Sequence, residues 1–300
     1  MRRLFLSGLI TAALAAPAAA EITIPTAQGD VTLQGAPQTV AVFDMAALDS
    51  LLALGVQPAG TIENVTVAAL REGTRDAARV GTLFEPDLEA LAGLAPDLIV
   101  VGGRSAAQLA AVSQVAPAID MTFGPDLLAE ARARIDSYGA VFEKEAEAAA
   151  LNASLDAQLA ALREAAAGQG RALIVLTNGT RMSAYGKGSR FSWIFDAAGL
   201  EEAAPGLDDA THGQAITHEF IAEANPDWLF VVDRGAAIGE DGQGAEATLR
   251  SGLVEGTTAW SEGQVVYLDP AAAYISAGGY QAMSRLMGQL TEALSAADRS

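Results

Sequence analysis

The 300-residue chain contains no cysteine, only two lysines (Lys144 and Lys187) and only two histidines (His212 and His218). Without a thiol there is no disulfide framework, no thiolate metal site and no acylated cysteine to tether the chain to a membrane. Two histidines are too few for a protein-built zinc or manganese centre, which ordinarily gathers several imidazoles and carboxylates. Cations are outnumbered, 18 Lys and Arg against 37 Asp and Glu, for a formal charge of −19. Such a surface repels phosphate backbones and anionic lipid, so nucleic acid and membrane surfaces are disfavoured as partners. The chain also lacks a G-x-S-x-G elbow, an H-E-x-x-H helix, a Walker loop and a dinucleotide fingerprint. These absences argue against an enzyme.

Long hydrophobic runs are missing except at the start, where Arg2 and Arg3 precede an apolar stretch from Leu4 to Ala16, then Ala18 and Ala20. This reads as a secretory signal peptide over residues 1–20 with an A-x-A cleavage site, the apolar run being too short to span a bilayer. Its removal would take the formal charge to −21. The expected mature product is a periplasmic protein of about 280 residues, enough for two modest lobes.

The most informative feature present is a duplication. Glu89 to Arg104 (EALAGLAPDLIVVGGR) recurs as Glu219 to Arg234 (EFIAEANPDWLFVVDR) with identical spacing from Glu to Pro-Asp to Arg. Each copy reads as a short helix broken by Pro-Asp, followed by a buried parallel strand whose carboxyl end delivers an arginine. Open α/β sheets bind ligands at that edge. The expected fold class is α/β, with two small parallel-sheet lobes (residues 21–124 and 169–300) joined by a long helix over residues 125–168. That segment is Ala-, Leu- and Glu-rich, free of proline after Pro125, and expected to bend near Tyr138-Gly139. An N-terminal hairpin is read over residues 22–38, and Thr177 to Ser189 (TNGTRMSAYGKGS) as a Gly-rich loop.

Arg104, Arg190 and Arg234 each stand beside a strand end or a Gly-rich loop. A trio gathered in one cleft would repel itself when empty and favour a multiply charged, oxygen-rich anion. Among the aromatic residues, Phe84 and Trp193 read as packing, as does Met182, whereas Tyr185 in the Gly-rich loop is a candidate to stack on the ligand. His218, at a helix start, reads as structural.

The strings VGTLFEPDLEALAGLAPDLIVVGGRSA, LTNGTRMSAYGKGSRFSWIFDAAG and HGQAITHEFIAEANPDWLFVVDR resemble the periplasmic binding proteins of ABC importers for ferric catecholate-type siderophores. The likeness covers essentially the whole mature chain. It implies a bilobal protein, with no permanent cofactor, that carries an Fe(III)-siderophore to an ABC permease and acts as a monomer. It implies that Arg104 (GGR), Arg190 (GSRFS) and Arg234 (VVDR) contact catecholate oxygens. It further implies that His212 and Tyr274 complete the iron shell when the siderophore is tetradentate, and that Glu89 and Glu219 dock onto the permease. In each repeat the Glu and the Arg are expected on opposite sides of the helix-strand unit. Cobalamin or haem carriage on the same scaffold is the alternative.

Overall fold

The computed structural model describes residues 21–207 and 212–297; the expected signal peptide lies outside them. The alternation of residues 22–33 produces a hairpin, β1 (Ile22–Thr26) and β2 (Gly29–Leu33). Ile22 and Ile24 face Leu33 and Val31, while Thr23 and Thr32 share a 2.8 Å hydroxyl contact on the other face. This is the period-two pattern of a half-buried ribbon.

The first lobe is a five-stranded, wholly parallel sheet made of β3 (Val40–Val42), β4 (Gly60–Thr61), β5 (Ala78–Arg79), β6 (Leu98–Val101) and β7 (Ala118–Asp120), in the order β5-β4-β3-β6-β7. The second contains β8 (Arg171–Asn178), β9 (Arg181–Tyr185), β10 (Glu201–Glu202), β11 (Gln214–Ile216), β12 (Trp228–Asp233) and β13 (Val265–Tyr267). Its order is β11-β9-β8-β12-β13, with β10 beside the start of β8. The duplicated strands β6 and β12 thus occupy equivalent places, next to the last strand of their sheets. The Pro-Asp of each repeat has a structural purpose. Asp97 accepts from the backbone N–H of Gln38 and Thr39 at the entry to β3, and Asp227 accepts from Arg171 N at the start of β8. Each carboxylate ties its own helix-strand turn to the neighbouring strand.

Two expectations need correction. Residues 177–189 are not all loop, because Arg181–Tyr185 forms β9, paired antiparallel with β8 across the Gly179-Thr180 turn. Glycine at the first central position of a two-residue turn, here Gly179 with φ +58°, is a hairpin signal, and Met182 and Ala184 supply the buried face. Residues 125–168 are two helices, Leu127–Val141 and Glu145–Ala166, rather than one. The chain reverses at Glu143, whose φ is +56°. The helices are antiparallel, joined by an Arg132–Asp156 ion pair and by a 2.7 Å bond from Asn152 Nδ2 to Asp136 Oδ1. Gly139 is a close-packing position and not the bend: a Cβ there would come 2.6 Å from that of Ala148.

The 22-residue helix Glu145–Ala166, about 33 Å long, buries Leu155 and Leu162 in the same core as Met283, Leu286 and Leu290 of the closing helix Tyr280–Ala297. That closing helix is capped from the other lobe. Asp49, buried in helix Met45–Ala53, accepts from Gln281 N (2.6 Å) and Ala282 N (3.1 Å). The lobes are therefore joined by packed, hydrogen-bonded helices.

Candidate ligand-binding cleft

Each cleft-facing arginine is presented by a short, side-chain-braced turn. After β6 the chain passes Gly102 and Gly103 into a tight turn, Gly103–Gln108, in which Ser105 Oγ accepts from Gly102 N (3.1 Å). Arg104 projects from it. Arg234 opens helix Arg234–Ile238 directly after β12, where Asp233 caps the helix by accepting from Ala236 N (3.0 Å). Arg190 follows the Gly186–Ser189 turn, closed by a 2.6 Å bond from Ser189 Oγ to Gly186 O.

All three arginines meet Tyr274, the last residue of helix Pro270–Tyr274. Asp269 caps that helix and Pro270 starts it; the small, buried Ala272 and Ala273 let it sit close to the core. Arg104 Nη2 and Arg190 Nη2 both donate to the main-chain oxygen of Tyr274, at 2.8 and 3.1 Å. Arg234 Nε donates to its hydroxyl at 3.2 Å. The three guanidinium carbons lie 4.9, 4.6 and 5.9 Å from the Tyr274 ring centroid, within cation–π range.

The electrostatics follow from this crowding. Burial acts to raise the Tyr274 phenol, but the hydrogen bonds and charges of Arg234 and Arg104 outweigh it and hold the phenol below its ordinary value. The Arg190 guanidinium is also held low, by desolvation and then by the like charge of Arg104. Arg190 as a residue is exposed on the cleft wall, but its head lies 4.6 Å from the Tyr274 ring centroid and 5.1 Å from that of Phe191, which limits its hydration. The Arg234–Glu240 ion pair, 3.6 Å across with Glu240 well exposed, neutralises little of the trio.

Two cavities, of about 590 and about 680 Å³, open on either side of this cluster and share Arg190, His212 and Tyr274. Arg104 lines the first and Arg234 the second. His212 is exposed and borders both. Tyr185 borders the second cavity but is 3% exposed, with its ring 4.8 Å from Phe191 in an edge-on contact, so it is wall and not a free stacking face. Trp193 is buried in the core, and Phe84 is 62% exposed beside the cleft-lining Leu83. Met182 is packed and His218 Nε2 lies 2.8 Å from Thr248 O.

Sequence reasoning missed Asp44, Asn178 and Arg181. Asp44 lines the first cavity, Asn178 Oδ1 accepts from Arg234 Nη1 (3.2 Å), and Arg181 adds a further cation to the second. Asp44 lies outside both copies of the repeat, and the other two fall in the segment read as a Gly-rich loop. Among the described residues no group of three or more His, Asp or Glu side chains is placed to hold a metal ion.

Glu89 and Glu219 are both exposed, at the starts of helices Leu88–Leu94 and His218–Ala224. They are not on the side of the repeat opposite the arginines. Asp87 N bonds to Val80 O just past β5, and His218 meets Thr248, whose hydroxyl bonds to Gly179 O just past β8. Both helix starts therefore lie at the carboxyl edge of their sheets, the edge that carries Arg104 and Arg234, because a crossover helix runs antiparallel to its strands.

A bilobal α/β frame with cavities lined by Arg104 and Arg234 at the strand ends has counterparts. The family model described as periplasmic binding protein matches residues 40–272. The chain belongs to the periplasmic binding protein family. Among curated members, the petrobactin-binding protein of Bacillus subtilis is 33% identical over 86% of this chain and 83% of its own. The ferric-anguibactin-binding protein of Vibrio anguillarum is 30% identical over 87% and 83%. The crystal structure of the Bacillus subtilis petrobactin-binding protein superposes with a TM-score of 0.85, covering 92% of this chain and 99% of that one. That of the catecholate-siderophore binding protein of Vibrio cholerae gives 0.84 at 28% identity, covering 91% and 100%. The chain thus shares its sequence family and its fold with binding proteins for petrobactin, ferric anguibactin and a catecholate siderophore.

Proposed function

We propose that this protein captures an anionic ferric catecholate siderophore in its cleft and delivers it to an ABC permease, without covalent chemistry. The observation that carries the reading is the convergence of Arg104, Arg190 and Arg234 on Tyr274. Three like charges held together are relieved by an oxygen-rich anion of similar charge, and guanidinium forks suit catecholate oxygens. The relatives named above bind petrobactin, ferric anguibactin and catecholate siderophores, and an anion of this kind suits the trio better than cobalamin or haem.

In this reading His212 and Tyr274, which border both cavities, supply the missing iron donors when the siderophore offers four. A phenol held below its ordinary value is a ready oxygen ligand for a hard cation. Glu89 and Glu219 dock onto the permease; exposed Leu88 stands beside the first, and the helix Gly252–Glu255, which packs against the helix of the second, exposes Leu253. The protein acts as a monomer in the periplasm after loss of residues 1–20.

The test is tryptophan fluorescence titration against a ferric bis-catecholate, a ferric tris-catecholate, a ferric hydroxamate, cobalamin and haem. Quenching at low concentration by the catecholates is expected. Tight binding confined to cobalamin or haem overturns the reading.

A further inference from the structure

A carboxylate on the wall of an anion-binding cleft works against the anion unless it has its own task, and Asp44 is such a carboxylate. Its Oδ1 accepts from Ala47 N at 2.7 Å and caps helix Met45–Ala53. Its Oδ2 faces the Gly102-Gly103 turn, where the missing side chains keep it approachable: a Cβ on Gly102 would stand 3.1 Å from it and one on Gly103 3.7 Å. Arg104 acts on Asp44 through space but forms no ion pair with it among the described residues, because its guanidinium is turned to Tyr274. Burial pushes Asp44 up to about 6, and nearby Asp120 adds to the rise. Its charge is under-compensated by the protein.

The cavity Asp44 lines also carries Arg104, Arg190 and His212, the two arginines turned to Tyr274, and otherwise presents apolar walls at Met45, Leu83, Phe123, Leu127 and Ile275. An aliphatic chain fits such walls, and an ionised oxygen among them selects a positive hydrogen-bond donor. We infer that Asp44 is a specificity-determining residue that binds a protonated amine carried on an aliphatic arm of the ligand. The assignment rests on the siderophore reading above. The ligand it selects has two chemistries, an anionic ferric catecholate at Tyr274 and the arginines, and an alkylammonium arm in the Asp44 cavity.

Two ferric bis-catecholates test it, identical except that the chain joining the rings carries a secondary amine in one and an ether oxygen in the other. The wild-type protein should bind the amine chelate about tenfold or more tightly, the order of one charge-assisted hydrogen bond. Asp44→Asn keeps the helix cap, since asparagine caps as well as aspartate. It should abolish that preference and, by removing a charge that opposes the anion, leave the ether chelate bound at least as tightly. Asp44→Ser, another capping residue, should do the same and covers the case in which the first variant folds poorly. Equal wild-type affinities, a preference that survives both substitutions, or equal weakening of both chelates would each overturn the assignment, the last by making Asp44 only a counter-ion for Arg104. If the wild type binds neither chelate, the siderophore reading falls, and this assignment with it.

Discussion

Arg104 and Tyr274, 170 residues apart, meet through a 2.8 Å bond from the guanidinium Nη2 to the tyrosine main-chain oxygen. The bond crosses the cleft between a turn of the first lobe and a helix end of the second. Because Arg190 donates to the same oxygen, one carbonyl fixes the positions of two of the three cleft cations.

Replacing Arg104, Arg190 or Arg234 singly by Ala should weaken ferric bis-catecholate binding by about 1–3 kcal/mol each, the range for hydrogen bonds to charged groups. Fluorescence titration measures it. Three silent substitutions would remove the cleft assignment.

The Tyr274 phenol should titrate below an ordinary tyrosine, because Arg234 and Arg104 favour its charged form more than burial opposes it. Absorbance titration of tyrosinate should lose its lowest-pH step in Tyr274→Phe, and that step should move to higher pH in Arg234→Ala. With iron chelate bound, a charge-transfer band that shifts in Tyr274→Phe would report direct ligation, whereas an unchanged band would leave the shell to the siderophore.

Asp49 should make stability fall as pH rises. Burial pushes its carboxyl up to about 7 from 3.8, against the N–H groups of Gln281 and Ala282 and the charge of Arg285. Between those values the folded chain holds a proton that the unfolded chain has released, so its contribution is fully present below about pH 4 and lost by about pH 7. Urea midpoints across that window should decline less in Asp49→Asn than in the wild type. Parallel slopes in the two proteins would contradict the assignment.

Reversing the charge of Glu89 and Glu219 together, by Glu→Arg, should abolish siderophore-supported growth while leaving chelate affinity in solution unchanged. Undiminished growth would dispose of the docking role.

Much of the frame was legible because it depends on local chemistry. The apolar run Leu98–Val101 makes a buried strand wherever it is placed, Pro-Asp ends a helix, and the repeat revealed that the unit was built twice. Arg104 and Arg234 could be singled out as candidates because a strand end in an open sheet is an address in itself, and both lie at Tyr274. Residues 125–168 misled because helical periodicity does not reveal where a helix reverses, a matter settled by Glu143 and by the packing of Asn152 on Asp136. Tyr185 misled because exposure is not local, and Phe191 covers its ring.

By itself the sequence determined the α/β class, the duplication, the acidic surface and the three arginines, since periodicity, composition and motif spacing are properties of the chain alone. Only the tertiary structure decided that the arginines close on Tyr274, that Asp44 shares the first cavity with Arg104 without an ion pair among the described residues, and that the glutamates share an edge with the arginines. Each of these is a distance between segments remote in the chain, fixed by how helices and sheets pack, and no local pattern records it.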